Sequence, residues 1–479
     1  MKYDYDVVII GVGSGGMIAG EVASKMGVKA ALVERHRVGG DCLWTGCVPS
    51  KALLSSAKAA HTIRHAGGYG LATVGRPDFD TAGVWQRLRR IQQEIADTDD
   101  NSDKYKDLGV DLLLGEGAFE GEHKVRVGER VLSCRFALVC TGSRPAAPTV
   151  EGLDEIGYLT SENIFELERA PRSLIVIGGG PIGIEMAQAM NRLGVKTTVL
   201  QRGSRILERD EPTLAGILLE KLRSEGVVVE LNAELVGAGR DGGEKSIRGR
   251  IDGLDVSWRA EEVLVAAGRK PNIEALQLDR IGTTTGARGI IVDDRLRTSA
   301  GWVYAAGDCA GRFLFTHSAG AEAVTALRNM FFPGSAKAPA TVPWTTFTDP
   351  ELAHVGMTLD EAQEKLGADG FRVYEWDLSH SDRARTEGAT EGRIIAVTDA
   401  KFKLIGAHIL APAAGEMIAQ FTLALNRGLR LTPDFGNLVQ VYPTFSTSVS
   451  QLAAEATYGQ LQKPFLQTLR RINSLLSRG

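Results

Sequence analysis

The chain has 479 residues, enough for about three domains that each bury a core of their own. Its formal net charge of −4 and pI near 6.1 argue against a nucleic-acid-binding protein, which would need a basic face. No apolar run reaches the roughly 18 residues of a membrane-spanning helix and residues 1–6 carry no secretory signal, so the sequence predicts a cytoplasmic protein without an integral membrane segment.

The first predicted strand runs directly into a glycine-rich loop, GVGSGG, which is followed by a helix and a second strand that ends at Glu34. β-branched runs of this length are typical of buried parallel strands. In such a turn the first glycine permits the tight bend, the second lets the backbone approach a pyrophosphate, and the third lets helix and strand pack closely. We therefore predict a dinucleotide site at Gly11, Gly13 and Gly16, with Glu34 on the ribose hydroxyls.

Two of the five cysteines follow, Cys42 and Cys47, in the segment GGDCLWTGCVPSK. Five residues of ideal helix rise about 7.5 Å, so the two can approach only across an irregular first turn, for which Gly46 gives backbone latitude. Pro49 suits the first turn of a helix, whose dipole, together with Lys51 one turn after Cys47, favours a thiolate. A zinc site is a poor alternative because no second cysteine or histidine pair completes it, so we predict a catalytic pair and no metal.

The same pattern occurs twice along the chain. The first module closes with an apolar strand that stops at a glycine, ALVCTG, and from residue 173 a second strand, glycine loop, helix and strand lead to a matching VLVAAG. Two loops in the same context make a simple tight turn an unlikely explanation of either, so we predict a second dinucleotide module. The predicted cofactor-binding glycines of these segments are Gly142, Gly178, Gly180, Gly183 and Gly268.

The second module differs from the first at the end of its second strand. Gln201 takes the place of Glu34, since each lies 23 residues after the first glycine of its loop. Gln201 has no charge to repel a 2′-phosphate, and Arg202 and Arg205 offer guanidinium groups that match one. The sequence therefore favours NADPH over NADH here, the alternative being that both arginines are surface charges.

The chain then returns to a buried strand that ends in Gly307-Asp308, and a proline-containing linker leads to a region of mixed strand and helix. We place residues 1–150 and 272–343 in the first module, 151–271 in the second, and 344–479 in a third domain. In the tail, an apolar stripe predicts a helix that packs on its own domain or on a dimer, with membrane contact as the alternative. The stripe comprises Leu461, Phe465, Leu469, Ile472 and Leu476.

The two glycine loops, the CxxxxC pair with its trailing VPSK, and Gly307-Asp308 resemble the class I pyridine nucleotide–disulfide oxidoreductases over about residues 5 to 455. That family includes dihydrolipoamide dehydrogenase, glutathione reductase and mercuric reductase. The resemblance implies an α/β fold like that of glutathione reductase, with two Rossmann-like domains and a C-terminal α+β dimerisation domain. It also implies a homodimer, with FAD on the first module and NADPH or NADH on the second.

The resemblance assigns roles to individual residues as well. Cys42 and Cys47 would form a redox-active disulfide, with Cys47 facing the flavin and Cys42 exchanging electrons with the substrate. Lys51 would lie by the flavin N5 and pair with Glu185, and Asp308 would bind the ribityl chain of FAD.

One departure from the family bears on how electrons leave the enzyme. Members that use thiols end with His-Pro-x-x-x-Glu, whereas here Tyr442 replaces the histidine and Thr447 the glutamate. A phenol with a pKa near 10 is a poorer proton shuttle at neutral pH than an imidazole with a pKa near 6.5. Mercuric reductases also place tyrosine in this region, although their C-terminal cysteine pair has no counterpart after Cys309. Tyr442 is therefore the predicted catalytic residue at this position, and His354 and His380, with His408 the third histidine of this domain, are the first alternatives as the base.

The leading hypothesis is thus an enzyme of the mercuric-reductase-like branch, passing electrons to a disulfide, soft metal or quinone acceptor that is free or protein-bound. An atypical dihydrolipoamide dehydrogenase is the alternative, and a cysteine-based redox sensor is a third. Rapid turnover distinguishes the two enzymes from the sensor, because a sensor need not cycle quickly.

Overall fold

The computed structural model describes residues 2–72, 78–461 and 464–476. The first module is a parallel sheet with helices on its faces, extended by an antiparallel meander. Its elements are β1 (Tyr5–Ile10), α1 (Ser14–Lys25), β2 (Ala30–Glu34), α2 (Gly40–Trp44), α3 (Cys47–Arg64), α4 (Ala82–Thr98), α5 (Ser102–Asp107), β3 (Asp111–Leu114), β4 (Gly117–Gly121), β5 (Lys124–Val127), β6 (Arg130–Val139) and β7 (Ser143–Pro145).

The second module repeats this plan. Its elements are α6 (Leu153–Ile156), β8 (Ser173–Ile177), α7 (Pro181–Arg192), β9 (Lys196–Leu200), α8 (Pro212–Ser224), β10 (Val228–Glu230), β11 (Glu234–Asp241), β12 (Glu244–Ile251), β13 (Leu254–Ala260) and β14 (Glu262–Val265). The parallel strands run in the order β3-β2-β1-β6 in the first module and β10-β9-β8-β14 in the second. The order is the same in both, and each module carries a three-stranded meander, so the internal repeat read from the sequence is confirmed in the fold.

The chain re-enters the first module beside the point where it left. Strand β15 (Arg269–Pro271) pairs antiparallel with β7, and β18 (Val303–Ala305) then joins the first parallel sheet next to β6. Between and after them lie β16 (Thr285–Gly286), β17 (Gly289–Ile290) and α9 (Thr316–Phe331). The strands β1 and β18 are almost wholly buried, as their apolar runs predict.

The third domain is built on one antiparallel sheet of five strands in the order β19-β20-β23-β22-β21. Its elements are β19 (Trp344–Thr346), β20 (Glu351–Gly356), α10 (Leu359–Leu366), β21 (Phe371–Asp377), α11 (Asp382–Thr386), β22 (Arg393–Asp399), β23 (Leu404–Ala411), α12 (Ala414–Arg427), α13 (Thr447–Leu461) and α14 (Pro464–Leu476). The predicted fold class, two dinucleotide-binding domains and a C-terminal α+β domain, is confirmed. The boundaries near 150, 271 and 343 stay predictions.

The tail is helical, as predicted, but its apolar stripe is only partly described. Leu469 and Ile472 are 44% and 48% exposed, whereas the side chains of Leu461, Phe465 and Leu476 lie outside the described residues. Within the described part of the chain, no helix has both the length and the apolar content to cross a bilayer.

Candidate active site

A large cavity, about 1350 Å³ in volume, lies where the first module, the second module and the third domain meet. It is lined by both α1 and α7 N-termini, by the two cysteines, and by the start of β19. Sites for one drug-sized ligand are usually about 300–1,000 Å³, so this cavity has room for more than one such molecule.

The glycine loops have the backbone geometry that a dinucleotide requires. Gly11 has φ +96°, and a Cβ there would lie 2.5 Å from the carbonyl oxygen of Cys140. Gly178 has φ +115°, and a Cβ there would lie 2.5 Å from the carbonyl oxygen of Ala266. No side chain caps the N-terminus of α1 or α7, so N–H groups in the first turn of each helix, after Pro181 in α7, are available to phosphate oxygens.

The side chains at the ends of the second strands are held in equivalent ways. The N–H of Val12 donates to Glu34 Oε2 at 2.8 Å, and the N–H of Gly179 donates to Gln201 Oε1 at 2.8 Å. Glu34 is left with carboxylate lone pairs that a ribose diol can use. Gln201 instead donates through Nε2 to Glu208 Oε1 at 2.9 Å, a carboxylate that the sequence analysis did not consider.

The predicted arginines lie near this position but differ in exposure. Arg202 is exposed, whereas Arg205 is half-buried and donates to the backbone carbonyl of Glu208. Arg202 is thus on the surface, where a bound phosphate could contact it, and the coenzyme preference stays a prediction.

The two cysteines lie on either side of a helix break. Cys42 is on α2, whereas Cys47 is the first residue of α3, so the irregular turn that the spacing required is confirmed at Thr45 and Gly46. A Cβ on Gly46 would lie 2.9 Å from the carbonyl oxygen of Asp41, so the break needs glycine. Both cysteines are free thiols and line the cavity, and Cys47 Sγ lies 3.4 Å from Thr316 Oγ1.

The environment of the pair favours one thiolate. A hydrogen bond from Cys42 lowers the pKa of Cys47 to about 6, helped by Thr316 and by the positive charge of Lys51. The same hydrogen bond, together with burial, raises the pKa of Cys42. The dithiol therefore holds its negative charge on Cys47 at neutral pH, with Cys42 as the protonated partner.

Lys51 and Glu185 meet, although 134 residues separate them along the chain. Lys51 Nζ lies 2.8 Å from Glu185 Oε2, and the Glu185 side chain is 7% exposed. Phe347, which the sequence analysis did not identify, holds this pair in place. Its N–H donates to Glu185 Oε1 at 2.8 Å, and its ring lies 4.4 Å from Lys51 Nζ.

Asp308 also lines the cavity and is part of an ion-pair network. Ser143 Oγ donates to its Oδ2 at 2.5 Å, and Arg269 Nε lies 3.6 Å from the same oxygen. Burial raises the pKa of Asp308, which these two partners oppose. The sequence analysis missed Arg269, although the residue directly follows Gly268, a predicted strand end of the kind where ligands bind in open α/β sheets.

Tyr442 lies away from this cavity in its own chain. The side chain is 66% exposed, and its hydroxyl donates to Asp382 Oδ2 at 2.8 Å, which raises the pKa of Tyr442. It is not among the residues that line the cavity, so one chain does not bring it to the cysteines.

The three histidines of the third domain do not line the cavity either. His354 and His408 are buried together with their Nδ1 atoms 3.1 Å apart, and burial lowers the pKa of His354 to about 2 and that of His408 to about 4. His380 is exposed beside Trp376. These positions fit packing and surface roles, and they argue against any of the three as the base of this cavity.

Comparison with known proteins gives a consistent picture. A family model described as pyridine nucleotide-disulphide oxidoreductase matches residues 5–323, and a model of the dimerisation domain of that family matches residues 342–453. A mercuric reductase from Bacillus cereus is 35% identical over 437 residues, which cover 89% of this chain and 68% of the relative. A dihydrolipoyl dehydrogenase from Thermus scotoductus is 34% identical over 469 residues, which cover 95% of this chain and 98% of the relative. The solved structure of RclA, an HOCl-induced flavoprotein disulfide reductase from Escherichia coli, is similar with a TM-score of 0.82 and 25% identity, over 94% of this chain and 99% of that one.

Proposed function

Because the chain belongs to the pyridine nucleotide-disulphide oxidoreductases, FAD-dependent enzymes that use NAD(P)H, we propose that it carries electrons from NADPH through FAD to Cys42 and Cys47, and from there to a soft metal ion, a quinone or a disulfide. The observation that carries this proposal is the Cys47 thiol, which lies in a cavity lined by the first glycine loop and the start of α7 and has a lowered pKa.

The residues in and near the cavity fit both cofactors. On the first module, the cradle at Gly11, the uncapped start of α1 and the Glu34 carboxylate suit the pyrophosphate and ribose of FAD, and Asp308 suits its ribityl hydroxyls. On the second module, the start of α7 and Arg202 suit NADPH. Bound FAD supplies the chemistry of accepting a hydride and passing on two electrons.

The protein residues divide the work of moving electrons and protons. Reduction of a Cys42–Cys47 disulfide takes two electrons, which break the S–S bond, and two protons, of which NADPH supplies one and solvent the other. At neutral pH Cys47 releases its proton and stays a thiolate, stabilised by the Cys42 thiol and by Lys51. Cys42 keeps its proton and is the thiol that exchanges with the acceptor. Glu185 balances the charge of Lys51 and fixes its position.

The acceptor class follows from the residue at position 442. A disulfide substrate needs a base that protonates its departing thiol, a step commonly worth about 10² to 10⁴ in rate. Tyr442, with a raised pKa, serves poorly in that role, whereas a soft metal ion or a quinone has no thiol leaving group. The raised pKa of Tyr442 therefore favours the mercuric-reductase-like branch.

A homodimer accounts for the surface around Tyr442. Val439 and Val441 are 94% and 78% exposed, and Leu438 beside them is 47% exposed. A cluster of exposed apolar side chains on a domain matched by a dimerisation model is expected to be covered by a second copy. We propose that Tyr442, since it is outside its own cavity, acts at the cavity of that second copy.

The direct test is to reduce the enzyme anaerobically with NADPH or NADH and then to follow its reoxidation by four acceptors in parallel. Hg²⁺ and a quinone should reoxidise it quickly, and glutathione disulfide slowly. Reoxidation by glutathione disulfide at the rate seen with Hg²⁺ would contradict the slow disulfide turnover that Tyr442 leads us to expect.

The second candidate is a dihydrolipoyl dehydrogenase, which the match to the Thermus scotoductus relative over 98% of its length favours. The fourth acceptor, lipoamide, separates the two candidates. Reoxidation by lipoamide as fast as reduction by NADPH would establish the second, and modest turnover supports the first.

A further inference from the structure

Arg269 joins the loop of the two cysteines to Asp308. Its guanidinium is 13% exposed and makes its contacts from β15, the strand on which the chain re-enters the first module. Nε donates to Ser143 Oγ at 2.7 Å, and Nη2 donates to the Ser143 carbonyl at 3.1 Å and to Asp41 Oδ2 at 2.9 Å. With Asp308 Oδ2 at 3.6 Å, one cation stands between two carboxylates.

Asp41 is the carboxylate that lies next to the dithiol. It immediately precedes Cys42 on α2, and its Oδ1 accepts a hydrogen bond from Thr45, within the helix break that separates the two cysteines. The negative charge of Asp41 acts against a thiolate at Cys47, and it also raises the pKa of Asp308. An unpaired carboxylate at this position would therefore work against the chemistry of the cavity.

Charged and polar side chains from several elements around Cys47 favour or oppose its thiolate. Lys51 on α3 favours the thiolate, and hydrogen bonds with Thr316 at the start of α9 and with Cys42 on α2 favour it as well. Lys51 is itself neutralised by Glu185 on α7. Asp41 is the opposing charge of this set, and Arg269 is the group that pairs with it.

We propose that Arg269 is a positioning residue for the dithiol, which pairs with the Asp41 carboxylate and thereby preserves the Cys47 thiolate at neutral pH. The inference rests on the proposed function, in that it concerns the same pair of cysteines. It adds that Arg269, on the strand β15 that connects the two dinucleotide modules, balances the charge of Asp41.

The test measures the thiolate without NADPH and without an acceptor. The full-length holoenzyme is reduced with a phosphine, and the alkylation rate of Cys47 by iodoacetamide is followed by peptide mass spectrometry from pH 4.5 to 9.5. The wild-type midpoint is expected near pH 6. Arg269→Gln should raise that midpoint by about 0.5 to 1 pH unit, because the charge of Asp41 is then uncompensated.

The decisive variants remove the carboxylate. Asp41→Asn should lower the midpoint by about the same amount, and Asp41→Asn combined with Arg269→Gln should return it to near the wild-type value. The midpoint of Arg269→Lys, which keeps the positive charge, should be closer to the wild-type midpoint than that of Arg269→Gln. A general structural defect caused by loss of Arg269 would persist in the double variant, so a double variant that titrates like Arg269→Gln overturns the proposal.

Two further outcomes are decided in advance. Arg144→Gln is the matched control, since Arg144 lies on the paired strand β7 with its guanidinium on Glu274, and it should leave the midpoint unchanged. An equal shift in Arg144→Gln and Arg269→Gln overturns the proposal, because the effect would then be one of general charge.

Should Arg269→Gln fail to fold, Asp41→Asn alone decides: a lowered midpoint supports the pairing role and an unchanged midpoint overturns it. A failure of the proposed function is distinguishable from these outcomes, because NADPH would then not reduce the two cysteines to the dithiol.

Discussion

Replacing Gln201 by glutamate tests the coenzyme preference, and the structure brings Glu208 into that experiment. Gln201 Nε2 donates to Glu208 Oε1 at 2.9 Å, while its Oε1 accepts from the N–H of Gly179. A glutamate at position 201 keeps the second contact but turns the first into two facing carboxylates. We therefore expect Gln201→Glu alone to move the preference towards NADH only weakly, and Gln201→Glu combined with Glu208→Gln to move it strongly.

The size of the effect follows from the two contacts. A hydrogen bond from a ribose hydroxyl to a carboxylate is worth about 1.5–3 kcal/mol, or about 10- to 150-fold in kcat/KM. Two unit charges about 4 Å apart repel by about 1 kcal/mol in bulk water, and this value applies because Glu208 is exposed. The repulsion should remove about fivefold of the gain from the single variant, and the double variant should recover it.

The assay is the rate of flavin reduction by NADPH and by NADH, measured by anaerobic stopped flow. It needs no acceptor, and the ratio of the two rates gives the coenzyme preference of each variant. Glu220→Gln, an exposed carboxylate on α8 paired with Arg223, is the matched control and should leave the ratio unchanged. Equal shifts in the single and double variants would refute the part assigned to Glu208. Equal or better use of NADH by the wild type would remove the argument from Arg202 and Arg205.

Three other outcomes are expected. Two-electron reduction of the wild type should produce a long-wavelength charge-transfer band that Cys47→Ser abolishes and Cys42→Ser shows permanently; identical spectra in all three proteins would contradict the assignment of the pair. Tyr442→His combined with Thr447→Glu should raise turnover with lipoamide or glutathione disulfide, by up to about 10²-fold, and an unchanged rate would count against Tyr442 as the limiting residue. Burial lowers the pKa of His408 to about 4, so the unfolded chain takes up the proton first as the pH falls below about 6.5. Urea titrations should accordingly show the free energy of unfolding decreasing from pH 6.5 towards pH 4, and less steeply in His408→Gln.

The features that the sequence predicted are those that depend on a few neighbouring residues. The glycine loops and the CxxxxC spacing each fix backbone geometry over a few residues, so the positions of Gly11, Gly178, Cys42 and Cys47 followed from the chain alone. The pairing of Lys51 with Glu185 did not follow from spacing, because 134 residues separate them; only the resemblance to a known family anticipated it.

The contacts that the sequence did not predict all cross between distant segments. Phe347 holds Glu185 through a backbone N–H, which any residue except proline carries, so its identity gives no signal. Arg269 reaches Asp41 across 228 positions, and such a contact depends on how β15 pairs with β7 when the chain returns to the first module. Tyr442 is a different case: its place in the sequence resembles a catalytic position, but one chain folds it onto its own surface.

The ribbon formed by β7 and β15 has a consequence for engineering. The N–H of Ala146 donates to the carbonyl of Gly268 at 3.0 Å, so the segment between them leaves and returns at a single point. The strands of the first parallel sheet all lie outside that segment, and the second module is in effect an inserted cassette with adjacent ends. A cassette of different coenzyme preference grafted at this point would have to supply a carboxylate to Lys51 where Glu185 now stands, and apolar side chains to the core shared with α3 and α4.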